Sequence, residues 1–342
     1  MSGAFLSGHE PLAVIFGCAG LRLTTEEHAF FRATCPLGFI LFQRNCETPD
    51  QVRELTATLR DAAGKPAAPI LIDQEGGRVA RLQPPHWRRY PSAARIAALG
   101  ELAQEAAFLS ARLIADDLAT LSISVDCLPV LDLPVAGADP VIGDRAYGSE
   151  PTVVARLGRA AAEGLLAGGV LPVIKHIPGH GRAGVDSHFQ LPKVAASLPT
   201  MERTDFAPFR ALKDMPWAMT AHVLYEAIDP NRPATLSARV IDTVIRASIG
   251  FDGVLISDDL SMQALGGSIG ARARDALAAG CDIVLHCNGD LDEMKQVAAA
   301  ATSVTANAKR RLERGETLRV RSEPLDRRVS ELRLDELLRA AA

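Results

Sequence analysis

Eight short apolar runs recur along the chain and alternate with segments whose apolar residues have helical spacing. The runs cover residues 12–16, 38–42, 69–72, 122–127, 170–174, 217–220, 253–256 and 282–285. Strands that are apolar on both faces are typical of a parallel sheet covered by helices, so the pattern predicts an α/β fold. Eight strand-then-helix units in 342 residues favour a (β/α)8 TIM-type barrel in a single domain. An open doubly wound sheet is the alternative, although no Rossmann glycine fingerprint follows the first run.

Two of the intervening helices have recognisable start signals. Thr24 with Glu27 fits a capping box, in which each side chain bonds the other residue's backbone N–H. Thr48 with Gln51 fits the same pattern. Both helices are therefore expected to begin directly after the threonine.

Apolar spacing predicts further helices over residues 93–121, 151–166 and 237–249. The barrel core is expected over about residues 12–290 of the single domain 1–342. After that the pattern becomes helical and charged, which predicts closing helices over about residues 291–342. These are expected on the outside of the barrel, with most of their surface solvated.

The composition describes a globular chain and excludes several kinds of partner. With 48% hydrophobic and 23% charged residues the chain can form a packed core. The formal net charge is −4 and the basic residues are dispersed, so no nucleic-acid partner is expected. No apolar run approaches the length of about 18 residues that a membrane span requires. The first residues do not resemble a signal peptide. We expect a cytoplasmic monomer with no membrane partner.

The six cysteines are scattered and include no CxxC pair. This spacing is poor evidence for a zinc site and weak evidence for disulfides, so free buried thiols are expected. We expect neither a metal nor a cofactor.

Polar residues gather directly after five of the predicted strands, the third to the seventh. In a TIM-type barrel the chemistry is carried out at the C-terminal ends of the strands, where these residues would meet. The segments are 73–78 with Arg81, 129–132 with 143–145, 175–188, 221–222 and 257–262. The sequence therefore predicts a catalytic centre at this end of the barrel.

Residues 175–188 form the most informative of these segments. Gly179, Gly181 and Gly184 allow tight turns or mobility, as in a catalytic lid. Asp186 lies two residues before His188, close enough to hold one imidazole nitrogen and set its tautomer. His188 is thus a candidate acid/base, and a His–Asp pair that only ties down the loop is the structural alternative.

Asp258 and Asp259 follow an apolar strand that would deliver a carboxylate into the barrel mouth. Such a carboxylate, together with an acid/base group from elsewhere, can attack the anomeric carbon of a sugar. Because neighbouring strand residues point to opposite faces, only one of the two can easily face the pocket. Spacing alone does not choose between them.

Further polar residues at these strand ends suit a polyhydroxylated ligand, since carboxylates accept from hydroxyl groups while lysine and arginine donate to them. They are Asp73, Arg81, Arg145 and Lys175, with His176 as a further donor or a structural residue. His180 and His222 are ambiguous. Trp87 and Trp217 are expected in the core rather than stacked on a sugar.

The motifs resemble those of a known family. Residues 175–181 (KHIPGHG) leading into Asp186-Ser187-His188 resemble the signature of the bacterial β-N-acetylglucosaminidases of glycoside hydrolase family 3, the NagZ type. Residues 72–79 (IDQEGGRV), 141–145 (VIGDR), 257–262 (SDDLSM) and 279–282 (AGCD) extend the resemblance in the same order. One departure is Ile177, where many relatives carry phenylalanine, which affects local packing rather than chemistry.

The resemblance implies a retaining mechanism with a covalent glycosyl-enzyme. Asp258 would be the nucleophile, and His188 the acid/base with Asp186 as its partner. The N-acetylglucosamine unit would be held by Asp73, Arg81, Arg145, Lys175 and His176. The implied substrates are recycled cell-wall fragments, in which terminal N-acetylglucosamine is β-1,4-linked to anhydro-N-acetylmuramic acid with or without peptide.

Three rival interpretations of the same residues exist. His176, His180, His188 and Asp258 could hold a metal in a hydrolase, although a glycine-rich loop holds ligands poorly. A sugar-binding sensor could keep the pocket without catalysis. Phosphorolysis could replace hydrolysis, because a neutral histidine repels an incoming phosphate less than a carboxylate does.

Overall fold

A computed structural model describes residues 10–319 and 323–340. Its central feature is a closed barrel of eight parallel strands in which the first strand pairs with the last, Val14 opposite Val284. The barrel strands are β1 Leu12–Phe16, β2 Pro36–Leu41, β3 Ile70–Ile72, β4 Val125–Asp126, β5 Leu171–Ile177, β6 Trp217–Thr220, β7 Val254–Asp259 and β8 Ile283–His286. The predicted (β/α)8 TIM-type barrel is therefore confirmed, and the open sheet is not.

Helices surround the barrel on the outside. Those that follow the eight strands in turn are Thr25–Thr34, Pro49–Ala62, Ala103–Thr120, Pro151–Ala167, Phe206–Ala211, the π-helix Val240–Ile249, Ile269–Ala279 and Leu291–Ala300. Shorter helices cover Ala93–Ala97 and Leu198–Arg203, and Ala306–Arg319 and Arg327–Arg339 come last. Within residues 10–319 and 323–340, no helix is both long enough and apolar enough to span a bilayer.

The two predicted capping boxes have different outcomes. At Thr24 the box is complete, because Glu27 also accepts from the Thr24 N–H at 2.9 Å. At Thr48 only half forms: its hydroxyl accepts from the Gln51 N–H at 3.3 Å, but the Gln51 side chain accepts from Glu47. The Gln51 amide instead donates to Leu21 at 2.7 Å, a tertiary contact that local sequence does not reveal.

The helix predicted over residues 93–121 is divided in the structure. It forms Ala93–Ala97, a 3-10 turn Gly100–Leu102, and Ala103–Thr120. Gly100 has φ +60°, a left-handed conformation that ends the first helix before the second begins.

Two apolar layers form the core, one inside the barrel and one between strands and helices. Trp217 packs inside the barrel, and Trp87 lies in the outer layer, as expected of core residues. Ile177 is also fully buried in the outer layer. All six cysteines are free.

Helix Ala306–Arg319 closes the end of the barrel where the strands begin. Ala308 and Leu312 join the inner core layer, and Gly315 lies against Trp217 of β6. Arg311 bonds Asp282 at 2.7 Å. The helix is otherwise mostly exposed or half-buried, as expected of a closing helix, and Leu318 is 40% exposed. It differs from the expectation in lying across the end of the barrel rather than on its outside.

Candidate active site

A pocket of about 360 Å³ opens at the C-terminal end of the barrel strands. Because parallel strands all end at this rim, it collects side chains that are far apart in the sequence. Every residue that the sequence predicted for the site lines this one pocket: Asp73, Arg81, Arg145, Lys175, His176, Asp186, His188 and Asp258. Ile40, Phe42, Val79 and Met219 are among the apolar residues that complete its lining.

Asp73 anchors one side of the pocket, directly after β3. Its two oxygens accept from Lys175 at 2.8 Å and from Arg81 at 3.0 Å. Burial alone would raise the pKa of Asp73, but the two cations more than offset this and hold that pKa far below its usual range. Lys175 is almost completely buried and its pKa is raised by the same carboxylate, so both groups stay charged at neutral pH.

Glu75 is a site residue that was not predicted from the sequence. Its carboxylate takes both hydrogen bonds of a bidentate pair with Arg145, at 2.9 and 2.8 Å, and lies 2.7 Å from Lys175 Nζ. The short hairpin of Gln74–Gly76 with Val79–Ala80 turns this segment back over the strand ends. Glu75 therefore fixes Arg145 and Lys175, and Lys175 also bonds Asp73.

A second residue missed from the sequence, Asp132, fixes the histidines of the β5 loop. This fully buried carboxylate accepts from the His180 N–H at 2.6 Å and faces His176 Nδ1 at 2.7 Å. Burial would raise the pKa of Asp132, but His176 more than offsets this and lowers it. The bond occupies Nδ1, which leaves the His176 Nε2 atom for the pocket.

Asp126, at the end of β4, is also buried near the pocket. One of its oxygens accepts from the Gln74 N–H at 2.9 Å, and the other has no partner among the described residues. Burial raises the pKa of Asp126 well above its ordinary value, which favours the neutral form of this carboxyl.

Asp258 and Asp259 at the end of β7 differ in their bonding. Asp259 is held by the N–H groups of Ser261 at 3.0 Å and Cys287 at 3.1 Å, and by the Ser261 hydroxyl at 2.5 Å. Asp258 accepts from the Asp259 N–H at 2.8 Å through one oxygen only. Burial would raise the pKa of Asp258, but the nearby His222 and His176 more than offset this and lower it, so the carboxyl is ionised.

His222 and His180 have structural partners. His222 Nε2 donates to the Asp259 carbonyl at 2.9 Å and its Nδ1 faces the Thr235 hydroxyl at 2.7 Å. His180 Nε2 lies 3.0 Å from the Ser187 hydroxyl, and burial lowers the pKa of His180 to about 4. Burial also lowers the pKa of His222, and both rings support neighbouring loops.

Asp186 and His188 stand together on the loop after β5. His188 Nδ1 lies 2.7 Å from Asp186 Oδ1, which also accepts from the His188 N–H at 2.9 Å. Burial works against ionisation of Asp186, but the bonds from His188 lower its pKa and keep it charged. His188 thus keeps Nε2 free, and its side chain is 58% exposed.

The loop is also attached to the segment that follows the nucleophile candidates. Gln263 and Ala264 donate their N–H groups to the carbonyls of His188 and Ser187, at 3.3 and 3.2 Å. The ionised carboxylate of β7 and the histidine of the β5 loop therefore belong to one connected rim.

The arrangement does not resemble a metal centre. In the part of the chain that the structure describes, no three histidine, cysteine, aspartate or glutamate side chains are grouped so that they could hold an ion. His176 and His188 each direct Nδ1 to a carboxylate of their own. A barrel whose mouth combines an ionised carboxylate, an Asp–His pair and buried charged groups has the features of a glycosidase.

Comparison with known proteins identifies the family. Residues 24–317 match the glycosyl hydrolase family 3 N-terminal domain. A β-hexosaminidase of Alkalilimnicola ehrlichii is 40% identical over 283 residues, 80% of each chain. NagZ from Neisseria gonorrhoeae, solved with N-trifluoroacetyl-D-glucosamine, superposes with a TM-score of 0.85 at 32% identity, over 96% of this chain and 98% of that one. The chain therefore belongs to glycosyl hydrolase family 3.

A second solved relative is a family 3 β-N-acetylglucosaminidase from Paenibacillus, 34% identical with a TM-score of 0.78; the match covers 96% of this chain and 61% of that one. The family resemblance found in the motifs is confirmed. The expected enzyme class, a glycoside hydrolase of the β-hexosaminidase type, is confirmed with it.

Proposed function

We propose that the protein is an exo-acting, retaining β-N-acetylhexosaminidase that releases terminal β-1,4-linked N-acetylglucosamine. The observation that carries this proposal is the pairing, in one pocket, of an ionised Asp258 with a free oxygen and the Asp186–His188 dyad. The carboxylate suits nucleophilic attack, and the dyad suits proton transfer.

In the first step the free oxygen of Asp258 attacks the anomeric carbon, and the bond from that carbon to the leaving oxygen breaks. His188 gives its Nε2 proton to this oxygen, while Asp186 stabilises the imidazole through Nδ1. The products are a glycosyl ester on Asp258 and a neutral leaving group. A histidine acid replaces the second carboxylate of the usual scheme.

In the second step His188 acts as a base. It takes a proton on Nε2 from a water molecule whose oxygen attacks the anomeric carbon, and the ester bond to Asp258 breaks. The free sugar leaves with its original anomeric configuration, and the histidine is protonated again for the next substrate.

The sugar would be held by Asp73, Arg81, Arg145, Lys175 and His176. Support comes from their fixed positions: Lys175 is held between Asp73 and Glu75, and Arg145 is held by Glu75. Groups that are already ordered lose little entropy when they bind hydroxyl and acetamido groups. With Asp258 as nucleophile, the acetamido group binds without attacking.

The proposed biological substrates are cell-wall muropeptides, N-acetylglucosamine linked to anhydro-N-acetylmuramic acid with or without peptide. The proposed role is peptidoglycan recycling in the cytoplasm, by a monomer with one catalytic domain over residues 1–342 and no nucleic-acid or membrane partner. The likeness to NagZ of Neisseria gonorrhoeae, solved with N-trifluoroacetyl-D-glucosamine, supports an N-acylated glucosamine as the sugar that is bound. The recycling role rests on the family resemblance of the motifs.

The test is a comparison of initial rates on an aryl β-N-acetylglucosaminide and the matching aryl β-glucoside, with a chelator present. We expect strong preference for the acetamido sugar. Main activity on the glucoside would overturn the recycling role, and loss of activity with chelator would favour the metal interpretation. No activity on either sugar would favour a binding protein.

Phosphorolysis is separated from hydrolysis by repeating the reaction with and without inorganic phosphate. We expect free N-acetylglucosamine in both reactions. A phosphate-dependent rate with a sugar 1-phosphate as product would contradict the hydrolytic proposal.

A further inference from the structure

Phe189 is an aromatic residue exposed on the loop that carries the Asp186–His188 dyad. It is 68% exposed, although large aromatic side chains are usually mostly buried. The other exposed large hydrophobic residues of the described chain are aliphatic and lie in helical segments: Leu102, Leu318, Val329 and Leu332. Phe189 thus differs from these residues in being aromatic and in lying on a loop.

The loop fixes Phe189 relative to His188. The N–H groups of Phe189 and Gln190 both donate to the Asp186 carbonyl, at 3.1 and 3.0 Å, so residues 186–190 form one compact turn. The Phe189 ring centroid lies 6.5 Å from that of the imidazole, with the planes 54° apart. A sugar-sized group bound next to His188 is therefore within reach of this ring.

The position of the ring determines which part of a substrate it meets. A general acid lies within hydrogen-bond reach of the oxygen that it protonates, so the leaving group is attached next to His188. In the proposed function the sugar that is cleaved off would occupy the buried side of the pocket, among Asp73, Lys175 and Arg145. Phe189 does not line this pocket, so it can contact only a part of the substrate that extends out of it beside His188, which is the leaving group.

We propose that Phe189 determines specificity for the leaving group by stacking on the C–H-rich face of a second pyranose. This rests on the proposed function. The negative face of an aromatic ring attracts positively polarised C–H bonds, and the contact removes apolar area of both partners from water. A leaving group that is itself a sugar gains from this contact, whereas one that is a single atom does not.

The experiment compares two substrates that differ only in the leaving group: N,N′-diacetylchitobiose and N-acetyl-β-D-glucosaminyl fluoride. For Phe189→Ala we expect the ratio of kcat/KM, disaccharide over fluoride, to fall about tenfold, mostly through a higher KM for the disaccharide. Phe189→Tyr should restore the ratio, since it keeps the ring. Leu332→Ala, exposed on helix Arg327–Arg339, is the matched control and should leave the ratio unchanged.

The fluoride also shows whether His188 keeps its place. Its leaving group needs little acid assistance, so kcat/KM on the fluoride depends little on His188, whereas kcat on the fluoride includes the second step, in which His188 activates water. A large fall in kcat on the fluoride for Phe189→Ala would mean that Phe189 positions His188, and an unchanged ratio of kcat/KM would mean that it touches no leaving sugar; either result overturns the inference and leaves the proposed function intact. A wild-type enzyme that cleaves neither substrate overturns the proposed function and the inference with it.

Discussion

Asp258 and Asp259 lie at the end of the same strand but accept different numbers of hydrogen bonds, so their variants form a matched pair. Asp259 accepts hydrogen bonds from Ser261 and Cys287, whereas one oxygen of Asp258 accepts none from the residues that the structure describes. We expect Asp258→Asn to lower kcat by about 10⁴-fold or more with little change in Tm, because a carboxamide is a poor nucleophile.

Asp259→Asn should mainly lower Tm, because the loop after β7 loses charged acceptors. Steady-state kinetics and thermal unfolding of both variants provide the measurement. Full activity of Asp258→Asn would transfer the nucleophile role to another residue.

His188→Ala tests the proposed acid. With an aryl leaving group of low basicity, departure needs little protonation, whereas a sugar leaving group needs it fully. We expect the variant to lose about 10²- to 10⁴-fold in kcat/KM on the disaccharide and much less on the activated aryl substrate. Similar losses on both would show that His188 has another role.

Glu75→Gln tests the buried charge network through its pH dependence. Burial would raise the pKa of Glu75, but Arg145 and Lys175 hold it at about 2 instead of the ordinary 4.5. Between these values the unfolded chain binds a proton that the folded one does not. The stabilisation is therefore complete above pH 4.5 and is lost as the pH falls towards 2.

We expect Glu75→Gln to reduce the free energy of unfolding by about 3 kcal/mol at neutral pH, and by progressively less below pH 4.5. Urea unfolding at several pH values measures this, with Glu313→Gln, an exposed position, as the control. A reduction in the free energy of unfolding that does not depend on pH would mean that the charge of Glu75 is not the source of the stabilisation.

The polar residues proposed for the site could be predicted to meet in one pocket because the strand ends of a parallel barrel lie at one rim, whereas the apolar lining was not predicted. Glu75 and Asp132 could not be assigned, although each lies in a polar run that the sequence revealed. Their partners, Arg145 and His176, are contributed by other strands, and only the folded geometry brings these pairs together.

At the scale of elements, the apolar pattern finds every barrel strand but misjudges some ends. β5 and β7 continue three residues beyond the predicted 174 and 256, because Ile177 still pairs with Thr220 and Asp259 with Leu285. β4 starts later than the predicted residue 122, since Ser122 has φ +59° in a turn. Hydrophobicity reports side-chain burial, whereas a strand extends as far as its backbone pairs.

Two glycines of the loop after β5, Gly181 and Gly184, differ in the room that their surroundings leave for a side chain. A Cβ atom on Gly181 would lie 2.1 Å from the Leu133 carbonyl oxygen, whereas one on Gly184 would meet nothing within 4 Å. We expect Gly181→Ala to displace the loop and lower kcat about 10²-fold, since small misplacements of catalytic groups are costly.

Gly184→Ala should keep near-normal activity, so the two variants form a matched pair measured by steady-state kinetics. Equal activity of the two would mean that the loop absorbs the clash without moving the dyad.

At the scale of the whole molecule, the pocket and the closing helix Ala306–Arg319 occupy opposite ends of the barrel. The barrel itself could be predicted by counting strand-then-helix units. Closing helices could be predicted after residue 290, but not the position of this one, because its apolar residues are few among many charged ones and their burial depends on the open barrel end that they fill.

Leu312→Ala should therefore change stability without changing catalysis. Leu312 is buried in the inner core, so we expect a loss of about 2–5 kcal/mol in the free energy of unfolding with KM and kcat preserved at moderate temperature. Leu318→Ala, 40% exposed on the same helix, should cost less than about 0.5 kcal/mol. A changed KM in Leu312→Ala would mean that the two ends communicate.

The pairing of Leu12 with Ser303 and of Pro11 with Val304 places the start of β1 at the sealed end. Glu10, exposed beside these contacts, is thus an attachment point on the side facing away from the substrate entrance. If the protein were immobilised on a solid support through a single cysteine introduced at Glu10, its substrate pocket would face the flowing solution. This position is therefore suited to a reusable enzyme reactor that removes terminal sugars.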